Sequence, residues 1–240
     1  MESQGVFILP HQGLGDHILC AGIYREYAKR FPHVVLPVKA TYYRSVKKML
    51  RDSVNIQVLS YPRETLIKLH QDFLSHFGYE KLKLGGHGFG FFSDPTWRLD
   101  ENFYYQAGIP LSSRWDSFYY ERDAQKENDL YRLLGCSEQE YIFVHDDSTR
   151  GFKLRESSLP KNIRVVKPIP ELASKYTIFD YLKVIENAKE IHVIESSFAA
   201  YIESLPLDIP IYAHRYSRGH ALNDFRHEFT YRKPWVIFLN

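Results

Sequence analysis

Cysteine is scarce in this 240-residue chain, which holds only Cys20 and Cys136, each within an apolar helical pattern. Two distant thiols make neither a disulfide framework nor a zinc site, and a reducing, cytoplasmic setting fits that usage. Long apolar runs are missing as well. No window approaches the roughly eighteen apolar residues of a membrane span, and the opening MESQG carries no basic segment. Neither a transmembrane helix nor a signal peptide is expected. Charge of one sign is not in excess either: 31 Lys and Arg face 29 Asp and Glu, interspersed and without a basic tail. Nucleic acid gains no support as a partner. Internal repeats and low-complexity segments are absent too.

What is present is ordinary in bulk, with 44% hydrophobic and 25% charged residues, and fits a soluble globular protein. The length allows one large α/β domain or two small ones of about 120 residues each. Aromatics are plentiful. Eighteen Tyr and sixteen Phe can fill cores and also line surfaces on which a sugar or a base would stack.

The chain is organised around VFILPHQGLGDHILCAGIYREYAKR, residues 6–30. Val6 to Leu9 reads as a buried strand, and Ile18, Leu19, Ile23 and Tyr27 then recur at helical spacing. Between them Gly13 and Gly15 allow a tight turn, and Asp16 can cap the helix that follows. Strands are then expected at Val34 to Val38, near an edge because of Pro37, at Ile56 to Leu59, and at Tyr79 to Leu84. Helices fall at Tyr42 to Arg51 and Glu64 to Phe77. That alternation predicts a parallel sheet covered by helices. GGHGFGFF, Gly85 to Phe92, reads as a loop able to reach over a ligand, and Trp97 to Ala107 as a helix. The second half repeats the alternation, with strands at Tyr141 to Val144, Ile163 to Val166, Ile191 to Ile194 and Ile209 to Ala213. Helices fall at Ile178 to Ala188 and Phe198 to Leu205, another spans Leu222 to Phe229, and an apolar Trp235 to Leu239 closes the chain. The expected architecture is α/β, two Rossmann-like parallel-sheet domains facing a cleft. An acceptor-side domain spans 1–112, a linker and helix 113–139, and a nucleotide-sugar-binding domain 140–240.

Ligands of open parallel sheets bind beyond the C-terminal strand ends. Four polar stretches follow strands there: His11 to His17, His145 to Lys153, Glu195 to Phe198 and His214 to His220. Asp16 is the candidate general base, since a carboxylate in a glycine turn can take a proton from an incoming hydroxyl. A plain helix cap is the competing role. Arg150, Lys153 and Arg155 suit a diphosphate, although a loop held by its own salt bridges explains each of them singly. Asp146 and Asp147 invite a metal, but no second cluster has ligand spacing. Glu195, Ser196 and Ser197 repeat the strand–turn–helix arrangement and suit phosphate or ribose oxygens.

GLGDHILCAGIYREYAKRF and YLKVIENAKEIHVIESSFAAYIESLPLDIPIYAH together resemble glycosyltransferases of the GT-B fold, nearest to the lipopolysaccharide heptosyltransferase group and more distantly to fucosyltransferases of similar fold. The resemblance implies an inverting, metal-independent transfer, without cofactor, from a nucleotide-sugar to a glycan or glycolipid hydroxyl, as in polysaccharide biosynthesis. Peripheral membrane association would come through the acceptor. It maps the base to Asp16 and the nucleotide-sugar-binding turn to Glu195, Ser196 and Ser197, with Arg150 or Lys153 offsetting the diphosphate charge. His145, from the polar run after its strand, joins the candidate donor-binding residues. Glu195 stands where the family has Asp, Ser197 where Gly is usual, and the chain is shorter than usual for the fold. Two alternatives stay open: a binding module without turnover, and an NAD(P)-dependent oxidoreductase. The latter would need its third glycine where Ile18 stands.

Overall fold

The computed structural model describes residues 4–11, 13–62, 64–85, 96–147, 150–218 and 228–239. The chain divides into two compact units, residues 1–121 with 225–230 and residues 122–224 with 231–240.

The first unit runs β1 (Gly5–Leu9), α1 (Leu14–Leu19), α2 (Ala21–Arg30), β2 (Val34–Lys39), α3 (Ala40–Met49), β3 (Ile56–Tyr61), α4 (Glu64–His76), β4 (Tyr79–Lys83), α5 (Leu99–Ala107) and α6 (Ser113–Asp116). Its four strands are all parallel, in the order β3-β2-β1-β4. Val6, Phe7 and Ile8 are buried in succession rather than alternately, as in strands covered on both faces. Phe7, Val35 and Ile67 form a core under Leu9, Leu59 and Leu74.

β2 lies inside this sheet, against the edge position that Pro37 led us to expect. The Val34 N–H bonds to Asn55 on the β3 side, so the strand's alternation turns residue 37 toward β1. Pairing with β1 extends only from Val34 to Val35. The N–H that proline lacks is therefore not needed for a ladder bond.

Arg114 is fully buried and pairs with the equally buried Asp100. Its guanidinium also donates to the Thr230 carbonyl at 2.7 Å and lies over the Trp115 and Phe229 rings. Asp100 accepts the Thr230 N–H at 3.0 Å. These bonds hold residues 228–230 in the first unit.

α2 packs closely on α6. A Cβ on Gly22 would stand 2.2 Å from the Ser113 carbonyl oxygen and 2.6 Å from the Tyr104 hydroxyl. Because the nearer obstacle is backbone, Gly22→Ala should cost about 1–3 kcal/mol. Thermal unfolding followed by circular dichroism should show a fall in Tm of about 3 °C or more. An unchanged Tm would mean that the helices separate freely.

The second unit contains α7 (Ala124–Leu133), β5 (Tyr141–His145), β6 (Arg164–Val166), α8 (Leu182–Glu186), β7 (Ile191–Val193), α9 (Ser197–Glu203), β8 (Ile211–His214) and β9 (Val236–Phe238). Its strands are parallel in the order β6-β5-β7-β8-β9. Glu203 is buried and accepts the Arg232 N–H at 2.8 Å and the Trp235 indole N–H at 2.6 Å. This anchors the terminal segment that becomes β9. Both units are Rossmann-like, the pairing of folds on which GT-B architecture is built. The helix expected at Leu222 to Phe229 lies largely outside the described residues, and its last two members, Glu228 and Phe229, are not helical.

Candidate functional site

In the first unit, successive strands are added outward from β1 to β3, and β4 then joins the other side of β1. The crevice beyond β1 and β4 is the switch point where open α/β sheets take ligands. Asp16 stands there as the third residue of α1, inside the first turn rather than ahead of it. Its carboxylate caps backwards. Oδ2 accepts the Gly13 N–H at 2.9 Å and lies 2.7 Å from His11 Nδ1. Asp16 is mostly buried and His11 about half-exposed. The Asp16 hydrogen bond raises the His11 pKa above its usual value, against burial and the charge of Lys39.

Gly13 is needed here for space, not for a special backbone angle. Its φ of −86° suits any residue, but a Cβ would stand 2.8 Å from Asp16 Oδ2. Gly15 is the second residue of α1. Gly85, two residues past β4, does need glycine: its φ is +77° and a Cβ would meet Phe103 and His11. Apart from Gly85, the GGHGFGFF loop lies outside the described residues. Ile18, where a dinucleotide fingerprint requires glycine, is fully buried. His17 is also buried, with Nδ1 3.1 Å from the Tyr24 hydroxyl, and burial lowers its pKa to about 4. The Cys20 thiol is pushed well up by burial, which keeps it protonated and inert.

In the second unit the order reverses between β5 and β7. His145 ends β5, and its Nδ1 lies 3.0 Å from the Ser196 hydroxyl, just after β7. The Phe198 ring packs against the imidazole with centroids 4.4 Å apart. Glu195 pairs with Arg215, which follows β8, at 3.3 Å, both side chains being largely buried. The ends of β5, β7 and β8 are thus tied together by side chains, and Ser197 opens α9 beside them.

The polar run after β5 divides. Asp146 pairs with Lys167 at 2.7 Å, and Asp147 accepts from Arg150 Nε at 2.5 Å within a tight turn. Lys153 is exposed. Arg155 is exposed too, and its guanidinium carbon lies 4.3 Å from the centroid of the Tyr216 ring. Among the described residues, no group of three His, Cys, Asp or Glu side chains could hold a metal ion.

Three pairings are not written in the sequence, although His11 and Arg215 lie in its polar stretches. His11 joins Asp16 across five residues, and the glycine turn between them was the signal. Arg215 and Tyr216 come after a strand, but nothing local marks one as the partner of Glu195 or the other as the support of Arg155. A cavity of about 390 Å³ in the first unit, lined by Arg25, Lys29, Ser53, Asn55 and Asp116, sits by the N-terminal ends of β2 and β3, away from Asp16. Its Arg25 is already engaged by Asp52 at 2.7 Å.

No protein-family model matches the sequence, and no curated protein matches it either. Among solved structures, a glycosyl transferase family 9 protein from Veillonella parvula DSM 2008 is similar, with a TM-score of 0.61 and 11% identity over 99% of this chain and 88% of that one. The ADP-heptose lps heptosyltransferase II of E. coli gives 0.51 at 10% identity, covering 98% of this chain and 90% of that chain. The iron-containing dodecameric glycosyltransferase TibC of enterotoxigenic E. coli H10407 gives 0.51 at 13% identity, covering 99% of this chain and 63% of that one. At such identities the likeness is one of fold. None of the described helices is long and apolar enough to cross a membrane.

Proposed function

We propose that the protein is a glycosyltransferase that moves a sugar from a nucleotide-sugar donor to a hydroxyl of a glycan or glycolipid, with inversion and without an essential metal. The observation that carries this reading is the Asp16 carboxylate at the switch point of the first sheet. It is fixed through Oδ2 by the Gly13 N–H and by His11. Both bonds land on one oxygen, so Oδ1 is the atom we assign to the acceptor proton. As that proton leaves, the acceptor oxygen attacks the anomeric carbon, and the bond to the nucleoside diphosphate breaks on the opposite face. A positioned carboxylate is suited to this transfer.

The donor is assigned to the second unit, with His145, Ser196 and Ser197 toward ribose and phosphate oxygens. Arg150, Lys153 and Arg155 would offset the charge of the leaving diphosphate. Glu195 serves there with Arg215, its ion-pair partner. The similar structures described as a family 9 glycosyl transferase and as an ADP-heptose heptosyltransferase support the same class of chemistry.

Isothermal titration against UDP, GDP, ADP, CMP and dTDP, free and sugar-linked, tests the reading. One nucleotide series should bind with a dissociation constant below a millimolar. Absence of binding to any of them at millimolar concentration would overturn the assignment of the second unit.

A further inference from the structure

Four side chains in the second unit form a continuous hydrogen-bonded chain. Glu190, which precedes β7, lies 3.1 Å from His192 Nε2. His192 Nδ1 lies 3.0 Å from His214 Nε2, and His214 Nδ1 lies 3.2 Å from the Tyr216 hydroxyl. Both histidines are buried. Tyr212 stacks on His192 at 4.5 Å and Phe238 on His214 at 4.8 Å. The chain therefore runs from the N-terminal edge of the sheet to the edge where the polar loops gather. At that end the Tyr216 oxygen accepts the Arg155 backbone N–H at 3.0 Å, and its ring lies beneath the Arg155 guanidinium.

Donor and acceptor counting fixes the polarity of the chain. A carboxylate can only accept, so His192 carries its hydrogen on Nε2 and presents a bare Nδ1. His214 must then donate from Nε2 and accept at Nδ1, and the Tyr216 O–H fills that position. With both rings neutral every group is satisfied, and the phenol oxygen is left to hold the Arg155 N–H. Burial lowers the pKa of His192, and lowers that of His214 to about 4, in keeping with two neutral rings at pH 7.

We infer that the chain Glu190–His192–His214–Tyr216 is a positioning device, in which Tyr216 sets the aim of Arg155 and orders residues 150–158 for a diphosphate. This rests on the donor reading given above for the second unit. Uptake of one proton from solvent reverses the chain. His192, then carrying both hydrogens, donates to His214 Nε2, and His214 Nδ1–H donates to the Tyr216 oxygen. The phenol keeps its hydrogen and turns it to donate to Ser158 Oγ, 3.4 Å away. The Arg155 N–H must now share its acceptor. Among the described residues, the charged and titratable groups against the chain are Glu190 from the start of β7, Tyr212 from β8, Tyr216 beyond it and Arg155 from the loop after β5, and the β9 residue stacked on it is Phe238.

The test uses the full chain. Long-range ¹H–¹⁵N spectra of histidine-labelled protein at pH 7 should show the Nε2–H tautomer at both His192 and His214. Tyr216→Phe removes the hydroxyl with little change of shape, and trypsin should then cleave after Lys153 and Arg155 faster than in wild type. The nucleotide that wild type binds should bind roughly tenfold or more weakly to it, the usual weight of hydrogen bonds to charged groups. Wild-type affinity should also fall below about pH 5, while the Tyr216→Phe profile stays flat. Ser158→Ala should match wild type at pH 7 and exceed its cleavage rate only in acid. An Nδ1–H tautomer at either histidine, or wild-type cleavage rates in Tyr216→Phe, would overturn the inference. If wild type binds no nucleotide, the donor reading fails, but the tautomers and cleavage rates still judge the chain.

Discussion

Replacing Asp16 with Asn should lower sugar transfer by roughly 10²–10⁴-fold, the scale of a positioned general base, while leaving the fold and donor affinity close to wild type. The amide oxygen of Asn can still accept the Gly13 N–H, so the backward cap survives. What disappears is the capacity to take up the acceptor proton. Asp16→Ala removes both, and should lose transfer to the same degree along with about 1 kcal/mol of stability from the missing cap. A carboxylate that served only as a cap would give the opposite pattern, with Asn nearly normal and Ala merely less stable. Turnover of the two variants, compared with their melting temperatures, separates the readings. Near-normal transfer by Asp16→Asn would remove Asp16 from the mechanism. The carboxylates to try next would be Asp146, Asp147 and Glu195, which are paired with Lys167, Arg150 and Arg215 as Asp16 is with His11.

The elements of this fold were legible because each is written locally. VFIL and YIFV are short, fully apolar strands, and they became the central β1 and β5. The strand–turn–helix motif around Asp16 was likewise local, and so was its placement beyond a strand end. Pairings across the chain were not. Arg114 reads in sequence as one charge in an aromatic, charged stretch, yet it is fully buried against Asp100 and the Thr230 carbonyl. No periodicity announces a bond across 116 residues. The same holds for Glu195 with Arg215, and for His192 meeting His214 on the neighbouring strand. Pro37 shows the converse limit. The rule that proline avoids central strands is sound, but its exception depends on where the β1 ladder stops, and that is a property of register. At Gly13 the sequence marks a glycine without saying whether it is the angle or the space that matters, and the structure points to the space.

Acid should destabilise both units well before their carboxylates are protonated. His17 in the first and His214 in the second are fully buried, and burial lowers each pKa from 6.5 to about 4. The sign follows from proton binding. Between those values the unfolded chain takes up a proton at each site and the folded chain does not, so stability falls as the pH falls. Each histidine contributes its full amount above pH 6.5 and has lost it near pH 4, a difference on the order of 3 kcal/mol per site. His11 acts in the other direction, because its folded pKa is raised. Its stabilisation is present below pH 6.5 and fades as the pH rises through that higher value; half-exposed, it is too screened to offset the buried pair. Urea unfolding at pH 7.5 and 4.5 measures the loss, with Trp97 and Trp115 reporting the first unit and Trp235 the second. The double variant His17→Met, Tyr24→Phe removes the titrating ring together with the hydroxyl that would otherwise be left unpaired. It should flatten the acid slope of the first unit by about 3 kcal/mol over this window and leave that of the second as in wild type. Equal slopes for variant and wild type would show that His17 is protonated in the folded protein, and would remove burial as the cause of acid unfolding there.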